Sequence, residues 1–196
     1  MEVVSTDLPE VLLIRPRLFH DQRGHFLEIY QHQRYAASGI SGEFVQDNVS
    51  FSSQGVLRGL HYQLGQPQDK LIVVLSGRIF DVAVDIRRGS PRFGRWTTAI
   101  LSSEDYAQLF VPKGFAHGFH VLSETATVLY KCSDYYSPPQ ERGIRWNCPG
   151  LAIQWPAGTP IVSEKDLALP ALESVPPEDL PAFDPPAPLT RPRRDA

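Results

Sequence analysis

The sequence predicts an all-β fold of the sandwich or jelly-roll type, with a few short helices and a Pro-rich C-terminal tail. Between residues 11 and 136 the chain reads as short segments rich in β-branched and aromatic residues. Gly, Pro, Ser and Asn separate these segments about every ten residues. No long stretch there shows the 3.6-residue period of an amphipathic helix. Many short antiparallel strands are typical of a fold that can enclose a ligand in its mouth.

Five segments carry the strand prediction most clearly: 70–75, 78–86, 97–101, 107–111 and 126–130. Segment 78–86 alternates with period two, so successive side chains point to opposite faces. One face carries Phe80, Val82, Val84 and Ile86, and the other carries Asp81, Ala83 and Asp85. We expect the first face to be core and the second to be polar. Turns are predicted at 76–77 and 88–91, which contain Gly77 and Gly89.

Two parts of the chain do not have the strand pattern. Residues 31–38 form the one helix-like patch in the first half, and Gly39 ends it. After Asp166 the composition changes, since 8 of the 18 prolines fall in the last 30 residues. We therefore predict one jelly-roll domain over residues 1–170 and a Pro-rich extension over 171–196 that packs loosely or frays.

Composition excludes several classes of function. With 196 residues, 42% hydrophobic and 21% charged, the chain has the make-up of an ordinary globular domain. A net charge of -3 gives no basic field for nucleic acid. We find no apolar run of about 20 residues and no secretory signal over residues 1–10, so we expect a cytoplasmic protein without a membrane partner. Cys132 and Cys148 are too few for a disulfide framework, and we expect both to be reduced.

Residue types that carry chemistry concentrate in a few short motifs, each of them weak alone. They are 55–63 (GVLRGLHYQ), Lys70, 112–119 (PKGFAHGF), Tyr130 and 163–166 (SEKD). Further motifs are 21–28 (DQRGHFLE), 44–50 (FVQDNVS) and 81–87 (DVAVDIR). In this order and spacing, from about residue 3 to 170, the chain resembles the dTDP-4-dehydrorhamnose 3,5-epimerase family. The resemblance implies a cupin-type fold, a homodimer and catalysis without a metal or another cofactor.

The reaction of this family explains why its active site requires these residue types. In a dTDP-4-keto-6-deoxyhexose the hydrogens at C3 and C5 lie next to the carbonyl, so removing either gives an enolate. Inversion then needs a base on one face of the ring and an acid on the other. By resemblance His61 is the base, Asp166 orients it, and Tyr130 is the acid. Lys70 would stabilise the developing charge on O4.

The resemblance also implies a set of substrate-binding residues. Arg23, Arg58 and Lys165 would bind the diphosphate. Glu28, Gln46 and Asn48 would bind the thymine and deoxyribose, and Phe26, with Phe19, would stack on the base. His117 and Glu141 match family positions that contact substrate. We expect the N-terminal strand with Arg23 and Glu28 to complete the nucleotide site of the partner in the dimer.

One geometric problem follows from these assignments. In a regular strand Arg58 and His61, three residues apart, face opposite sides of the sheet, although both are expected in one pocket. Gly59 lies between them, and a glycine permits a bulge that turns one side chain. We therefore predict a bulge at Gly59.

Three alternatives stay open. A metal-dependent cupin is suggested by the motif that ends at His117, but the expected second histidine of the first motif is Gln63, and Gln68 lies where a glutamate ligand would fall. A catalytically silent binding module would not need His61, Tyr130, Lys70 and Asp166 together. A mono-epimerase inverting only C3 or only C5 would use the same residues. We favour the double epimerase because the motifs at 58–63 and 130–132 resemble the rhamnose-pathway enzymes.

Overall fold

Two antiparallel sheets face each other in the computed structural model, which describes residues 1–184. The strands are β1 (Glu2–Ser5), β2 (Leu12–Arg15), β3 (Phe19–Asp21), β4 (Gly24–Phe26), β5 (Gln46–Ser53), β6 (Leu57–Gln63), β7 (Lys70–Ser76), β8 (Arg78–Asp85), β9 (Trp96–Ser102), β10 (Gln108–Val111), β11 (Phe115–Val121), β12 (Thr125–Cys132) and β13 (Glu141–Gly143). The helices are α1 (His32–Ala36) and α2 (Glu164–Leu167), with short 3-10 turns at Pro138–Gln140, Leu172–Ser174 and Pro177–Asp179. The all-β prediction is confirmed.

The strand order places distant parts of the chain side by side. One sheet has the order β1-β2-β10-β7-β12-β5, the other has the order β13-β6-β11-β8-β9, and β3 and β4 form a separate hairpin. The five segments predicted as strands correspond to β7, β8, β9, β10 and β12. Strands far apart in sequence are thus neighbours in the sheets, as in a jelly roll.

The main core fills the space between the two sheets. Ile72 and Val128 come from the six-stranded sheet, and Ile79 and Phe119 from the five-stranded sheet; all four are buried in one cluster. A smaller cluster surrounds Tyr35 of α1. Its hydroxyl donates to the Ile29 carbonyl at 2.6 Å. The helix begins after Gln31, whose side chain accepts from the Arg34 amide, and Gly39 at φ +92° follows it, as predicted.

A second core covers the outer face of the five-stranded sheet. Val82 and Val84 of β8 pack there with Ile144, Leu172 and Leu180. Asp81, Ala83 and Asp85 point to the other side of β8 and are also completely buried. The second face of β8 is therefore polar in part, as predicted, yet it is an interior face rather than a solvent face. This strand lies between two cores.

The first part of the Pro-rich extension belongs to that second core. Leu172, Val175 and Leu180 are buried there. The backbone of Arg88 bonds to Pro181 at 2.7 Å and to Phe183 at 3.0 Å. The expectation of loose packing is wrong for residues 171–184, because the apolar residues between the prolines are spaced to reach the sheet. Residues 185–196 lie outside the described part of the chain, and the division at residue 170 stays a prediction.

Within residues 1–184, none of the helices has the length and apolar character that crossing a bilayer requires.

Candidate active site

A cavity of about 690 Å³ opens between the two sheets. Strands β5, β7 and β12 line it from the six-stranded sheet, and β6 and β11 line it from the five-stranded sheet. Residues 161–166 close part of its rim. A cavity of this size is within the range of sites for small organic ligands.

His61 of β6 and Asp166 of α2 form a close pair in this cavity. The His61 Nε2 lies 2.6 Å from Asp166 Oδ1. The Gly59 amide donates to Asp166 Oδ2 at 3.2 Å. The Ser163 hydroxyl caps α2 by accepting from the Asp166 amide at 3.1 Å, which fixes the turn that presents the carboxylate. A buried carboxylate thus holds one ring nitrogen and leaves the other side of the imidazole toward the cavity.

The surroundings of Asp166 favour its charged form. Burial raises the pKa of this carboxyl, but the hydrogen bond and charge of His61, together with the Gly59 and Ser163 groups, lower the pKa by more. The net pKa of Asp166 lies below its usual range. The side chain of His61 keeps 28% of its exposure, so this ring can reach a bound molecule. A carboxylate behind a half-exposed imidazole is the arrangement that suits a general base.

The predicted bulge is present beside His61. His61 pairs with His117 of β11, and Arg58 pairs with Phe119. The three-residue interval from Arg58 to His61 on β6 thus lies opposite a two-residue interval on β11, which is a β-bulge. Gly59 has φ +113°, and a Cβ built there would lie 2.7 Å from Gly118 Cα. The bulge turns both Arg58 and His61 into the cavity.

Tyr130 enters the same cavity from the opposite sheet. It lies on β12 and packs against the main core. Burial raises the pKa of the Tyr130 phenol, the charges of Cys132 and Glu141 add to this, and Arg58 opposes it. The phenol therefore holds its proton in neutral solution. An imidazole from one sheet and a phenol from the other face one cavity.

Lys70 and His117 line the cavity, and the fully buried Asp81 pairs with His117. Both carboxylate oxygens of Asp81 lie close to His117 Nε2, at 2.9 and 3.0 Å. Burial raises the pKa of Asp81, while His117 and Lys70 oppose the rise. Burial also lowers the pKa of Lys70, against the charges of Cys132, Glu141 and Asp81. The group gathers a cation and an oriented imidazole beside the pair of His61 and Asp166.

Polar side chains at the rim are linked to one another. Lys165 Nζ and the Tyr136 hydroxyl both donate to Glu141 Oε2. Burial raises the pKa of Glu141, but these two bonds and nearby positive charge bring it below its usual range. Arg58 Nε donates to Ser52 Oγ at 3.0 Å. The rim thus presents two cations, and one of them is neutralised by Glu141.

Gln46 and Asn48 occupy the β5 side of the cavity. The Gln46 amide nitrogen donates to Asn48 Oδ1 at 3.1 Å, and the Gln46 side-chain oxygen accepts from the Tyr136 amide at 2.9 Å. Both side chains are half-buried and in register with the end of β12. They offer amide groups of the kind that hydrogen-bond a base or a sugar.

Three of the thirteen predicted site residues do not reach the cavity of their own chain: Arg23, Phe26 and Glu28. Arg23 pairs with Asp21 on the hairpin of β3 and β4. Phe26, on the same hairpin, is 69% exposed. Glu28 accepts from Arg34 Nη1 at 2.6 Å beside a different pocket. The other ten line the cavity.

The structure adds residues to the site that the sequence analysis did not select. Asp81 is one, because its motif was recognised but its side chain was assigned only to a polar face. Tyr136 and Gln63 are two more, and both line the cavity. The Gln63 side-chain oxygen accepts from the Ser137 amide at 2.7 Å. The sequence carries no signal that separates Asp81 from a polar residue facing solvent; its burial and its pairing with His117 identify it only in the structure.

The two cavity histidines both have carboxylate partners, Asp166 and Asp81. In the part of the chain that is described, no group of three or more His, Cys, Asp or Glu side chains is arranged to hold a metal ion.

Comparison with known proteins identifies relatives over most of the chain. The family model described as dTDP-4-dehydrorhamnose 3,5-epimerase matches residues 5–174. A dTDP-4-dehydrorhamnose 3,5-epimerase of Neisseria gonorrhoeae is 50% identical over 169 residues, which are 86% of this chain and 52% of that protein, so the chain spans about half of that relative.

Two solved structures share the fold. A dTDP-6-deoxy-D-glucose-3,5-epimerase of Legionella pneumophila, in complex with dTDP-4-keto-L-rhamnose, has a TM-score of 0.92 and 49% identity, covering 94% of this chain and 99% of its own. A 3'-monoepimerase of Streptomyces bikiniensis, in complex with dTDP-quinovose, has a TM-score of 0.83 and 31% identity, covering 93% of each chain.

Proposed function

The chain belongs to the dTDP-4-dehydrorhamnose 3,5-epimerase family, and we propose that it converts dTDP-4-dehydro-6-deoxy-D-glucose to dTDP-4-dehydro-L-rhamnose. The observation that carries this proposal is the placement of His61 and Tyr130 on opposite sheets of one cavity. A sugar ring bound between them meets a base on one face and an acid on the other. This is the arrangement that inversion of a carbon requires.

Each inversion proceeds in two proton transfers. His61 takes the proton from C5 or C3, and the electron pair of that bond moves into the C–C bond as the C4 carbonyl becomes an enolate. Tyr130 then delivers its proton to the same carbon from the other face. Solvent returns the proton of Tyr130 and removes the proton of His61, so the cycle closes without an oxidant or a reductant.

Three groups stabilise charge during these steps. Asp166 holds His61 in one orientation and balances the imidazolium that forms. The ammonium of Lys70 and the imidazole of His117 would face O4, where negative charge develops. Removing one preorganised donor of this kind typically costs about 3–4 kcal/mol of transition-state stabilisation. Asp81 orients His117 and faces Lys70, so it supports both.

The nucleotide would extend from the ring toward the rim. Arg58 and Lys165 supply positive charge for the diphosphate, and Glu141 sets the position of Lys165. Gln46 and Asn48 supply amides for the thymine and the deoxyribose. No metal or cofactor takes part in this scheme.

We propose that the protein acts as a homodimer in which the partner's hairpin completes each site. All six residues of β3 and β4 are exposed, and two of them are the phenylalanines Phe19 and Phe26. On the edge strand β5, Val49 and Phe51 are 64% and 66% exposed. Apolar residues exposed at a sheet edge and on a projecting hairpin are typical of a surface that a second copy covers. Arg23, Phe26 and Glu28 would then reach the neighbouring cavity.

The decisive experiment follows hydrogen exchange at the sugar. The protein is incubated with dTDP-4-keto-6-deoxyglucose in heavy water, and the H3 and H5 signals are followed by proton NMR. Loss of both signals with formation of the L-rhamno product is expected. Loss of only one signal would show a mono-epimerase, and loss of neither would overturn the proposal.

Two variants separate the base from the acid in the same assay. Tyr130→Phe is expected to keep exchange but to lose inversion, because His61 can return a deuteron only to the face it deprotonated. His61→Asn keeps a donor for Asp166 and is expected to lose both exchange and inversion by roughly 10²–10⁴-fold. Tyr135→Phe, at an exposed tyrosine outside the cavity, is the matched control. Inversion at the normal rate in Tyr130→Phe would remove the acid assignment.

A further inference from the structure

One segment of the cavity rim is held by side chains and not by the ladders of the two sheets. Residues 134–137, which we call the rim segment, connect β12 to the 3-10 turn at Pro138–Gln140 and bring Tyr136 to the cavity. In the described part of the chain, residues 134–136 form no backbone–backbone hydrogen bond. Because no ladder bond fixes this backbone, its position depends on other contacts.

Three glutamine side chains supply those contacts. Four hydrogen bonds link them to the backbone of the rim segment: Gln68 Nε2 to the Asp134 carbonyl at 2.8 Å, Gln63 Nε2 to the Tyr135 carbonyl at 3.1 Å, the Tyr136 amide to Gln46 Oε1 at 2.9 Å, and the Ser137 amide to Gln63 Oε1 at 2.7 Å. Gln46 belongs to β5 of the six-stranded sheet, and Gln63 ends β6 of the five-stranded sheet. The rim segment is thereby tied to both sheets across the mouth of the cavity.

Gln63 makes two of these four bonds and is only 7% exposed. Its Nε2 also donates to the Gln66 carbonyl at 2.7 Å. A glutamine amide has two N–H donors, and both are used inside the protein. Gln63 lines the cavity but therefore has no donor left for a ligand. Its part in the site must be indirect.

The rim segment reaches the substrate-binding residues through Tyr136. The Tyr136 hydroxyl donates to Glu141 Oε2 at 2.6 Å, and Lys165 Nζ donates to the same oxygen. The proposed function assigns Lys165 to the diphosphate, and the present inference rests on that assignment. We propose that Gln63 is a positioning residue for substrate binding, which acts through the rim segment and Tyr136 on the pair of Glu141 and Lys165.

The test compares KM and kcat of the wild-type protein and Gln63→Met in the epimerase assay. Methionine has a similar length but no amide, so the rim segment loses two of its four bonds. We expect KM to rise by about 5- to 50-fold and kcat to change by less than about threefold, because the base and the acid are untouched. A merely structural role would reduce the folded fraction, which lowers the apparent kcat and leaves KM unchanged. That result would overturn the proposal.

Gln54→Met is the matched control. The Gln54 amide donates to the Leu122 carbonyl at 3.0 Å, away from the residues that line the cavity. This variant loses the same kind of bond, and its KM and kcat should equal those of the wild-type protein. A rise in KM equal to that of Gln63→Met would overturn the proposal, since it would show that the effect does not depend on the rim segment.

A double-mutant cycle tests the route through Tyr136. Tyr136→Phe loses the bond to Glu141 and is expected to raise KM. If Gln63 acts through Tyr136, the double variant should have a KM within about twofold of the larger single increase. An unchanged KM in Tyr136→Phe would overturn the proposed route, and so would a double variant in which the two increases multiply.

Two further measurements keep the test independent of folding and of turnover. In the wild-type protein, hydrogen exchange read by NMR should show the Tyr136 and Ser137 amides protected, and more so with dTDP bound. Exchange at the rate of an open peptide, or no response to dTDP, would overturn the proposal without any variant. If the wild-type protein shows no turnover, the epimerase assignment fails, yet the Kd for dTDP still tests Gln63. Gln63→Met should then raise that Kd by the same factor, and an unchanged Kd would overturn the positioning role.

Discussion

At the scale of single residues, Lys70 and Tyr130 show how burial sets the charges of the site. Burial lowers the pKa of the ammonium and raises the pKa of the phenol. Both shifts bring the two groups closer to their uncharged forms. As pH rises, Lys70 therefore loses its proton at a lower pH than an ordinary lysine, and Tyr130 keeps its proton to a higher pH than an ordinary tyrosine. The proposed mechanism needs both protons, so the first loss limits activity.

The lowered pKa of Lys70 predicts the alkaline side of the pH profile. The kcat of the wild-type protein is expected to fall through the lowered pKa of Lys70, below the ordinary lysine value of about 10.4. Lys70→Arg keeps its charge in this range, so the fall in its kcat should move to higher pH even if its kcat is reduced overall. Lys131→Arg, which removes a lysine paired with Asp47 outside the cavity, should leave the profile unchanged. An unshifted alkaline limb in Lys70→Arg would contradict the role given to Lys70.

At the scale of elements, the bulge of β6 decides which side chains face the substrate. The pairing of His61 with His117 and of Arg58 with Phe119 depends on one residue that has no side chain. At Gly59 the backbone of β11 lies too close for a Cβ. The chemistry of the site thus depends on a contact between two backbones.

A substitution at Gly59 tests this dependence. Gly59→Ala is expected to destabilise the protein by roughly 2–5 kcal/mol, since it adds both an unfavourable φ and a clash with Gly118. Gly55→Ala is the matched control, because Gly55 also has positive φ, +79°, but no atom lies within 4 Å of its added Cβ. Gly55→Ala should lower the free energy of unfolding by about 1 kcal/mol. Urea unfolding measures the free energy of unfolding of both variants. Equal losses would show that the close approach of Gly59 to β11 does not contribute to the cost of the substitution.

The elements also show what could be predicted from the sequence. Alternation and turn residues predicted β7 to β10 and β12, and the conflict between Arg58 and His61 predicted the bulge. The two-residue alternation did not show that the Asp81 face of β8 is interior. The sequence pattern is the same whether the polar side chains of a strand face water or the interior of the protein. The packing of Leu172 and Leu180 was not predicted, because a high proline content suggests disorder. The contact depends instead on the spacing of a few apolar residues between the prolines.

At the scale of the whole molecule, the exposed hairpin of β3 and β4 makes a prediction about assembly. If Arg23 acts in the neighbouring cavity, a dimer of one Arg23→Ala chain and one His61→Asn chain has one complete site. Refolding the two variants together in equal amounts should restore roughly one quarter of the wild-type sites by random pairing. The assay is made at substrate concentrations below KM, where the loss of Arg23 lowers the rate most. No recovery over the separate variants would place Arg23 in the site of its own chain.

The position of Asp166 has a consequence for the protein during its synthesis. The base lies on β6 in the first third of the chain, whereas its carboxylate partner comes after the last strand. A ribosome must therefore release nearly the entire sheet sandwich, and α2 as well, before the first sugar can be turned over. A nascent chain halted ahead of that helix lacks both the carboxylate that orients His61 and the apolar residues that complete the second core, so we expect a prematurely terminated chain to be inactive.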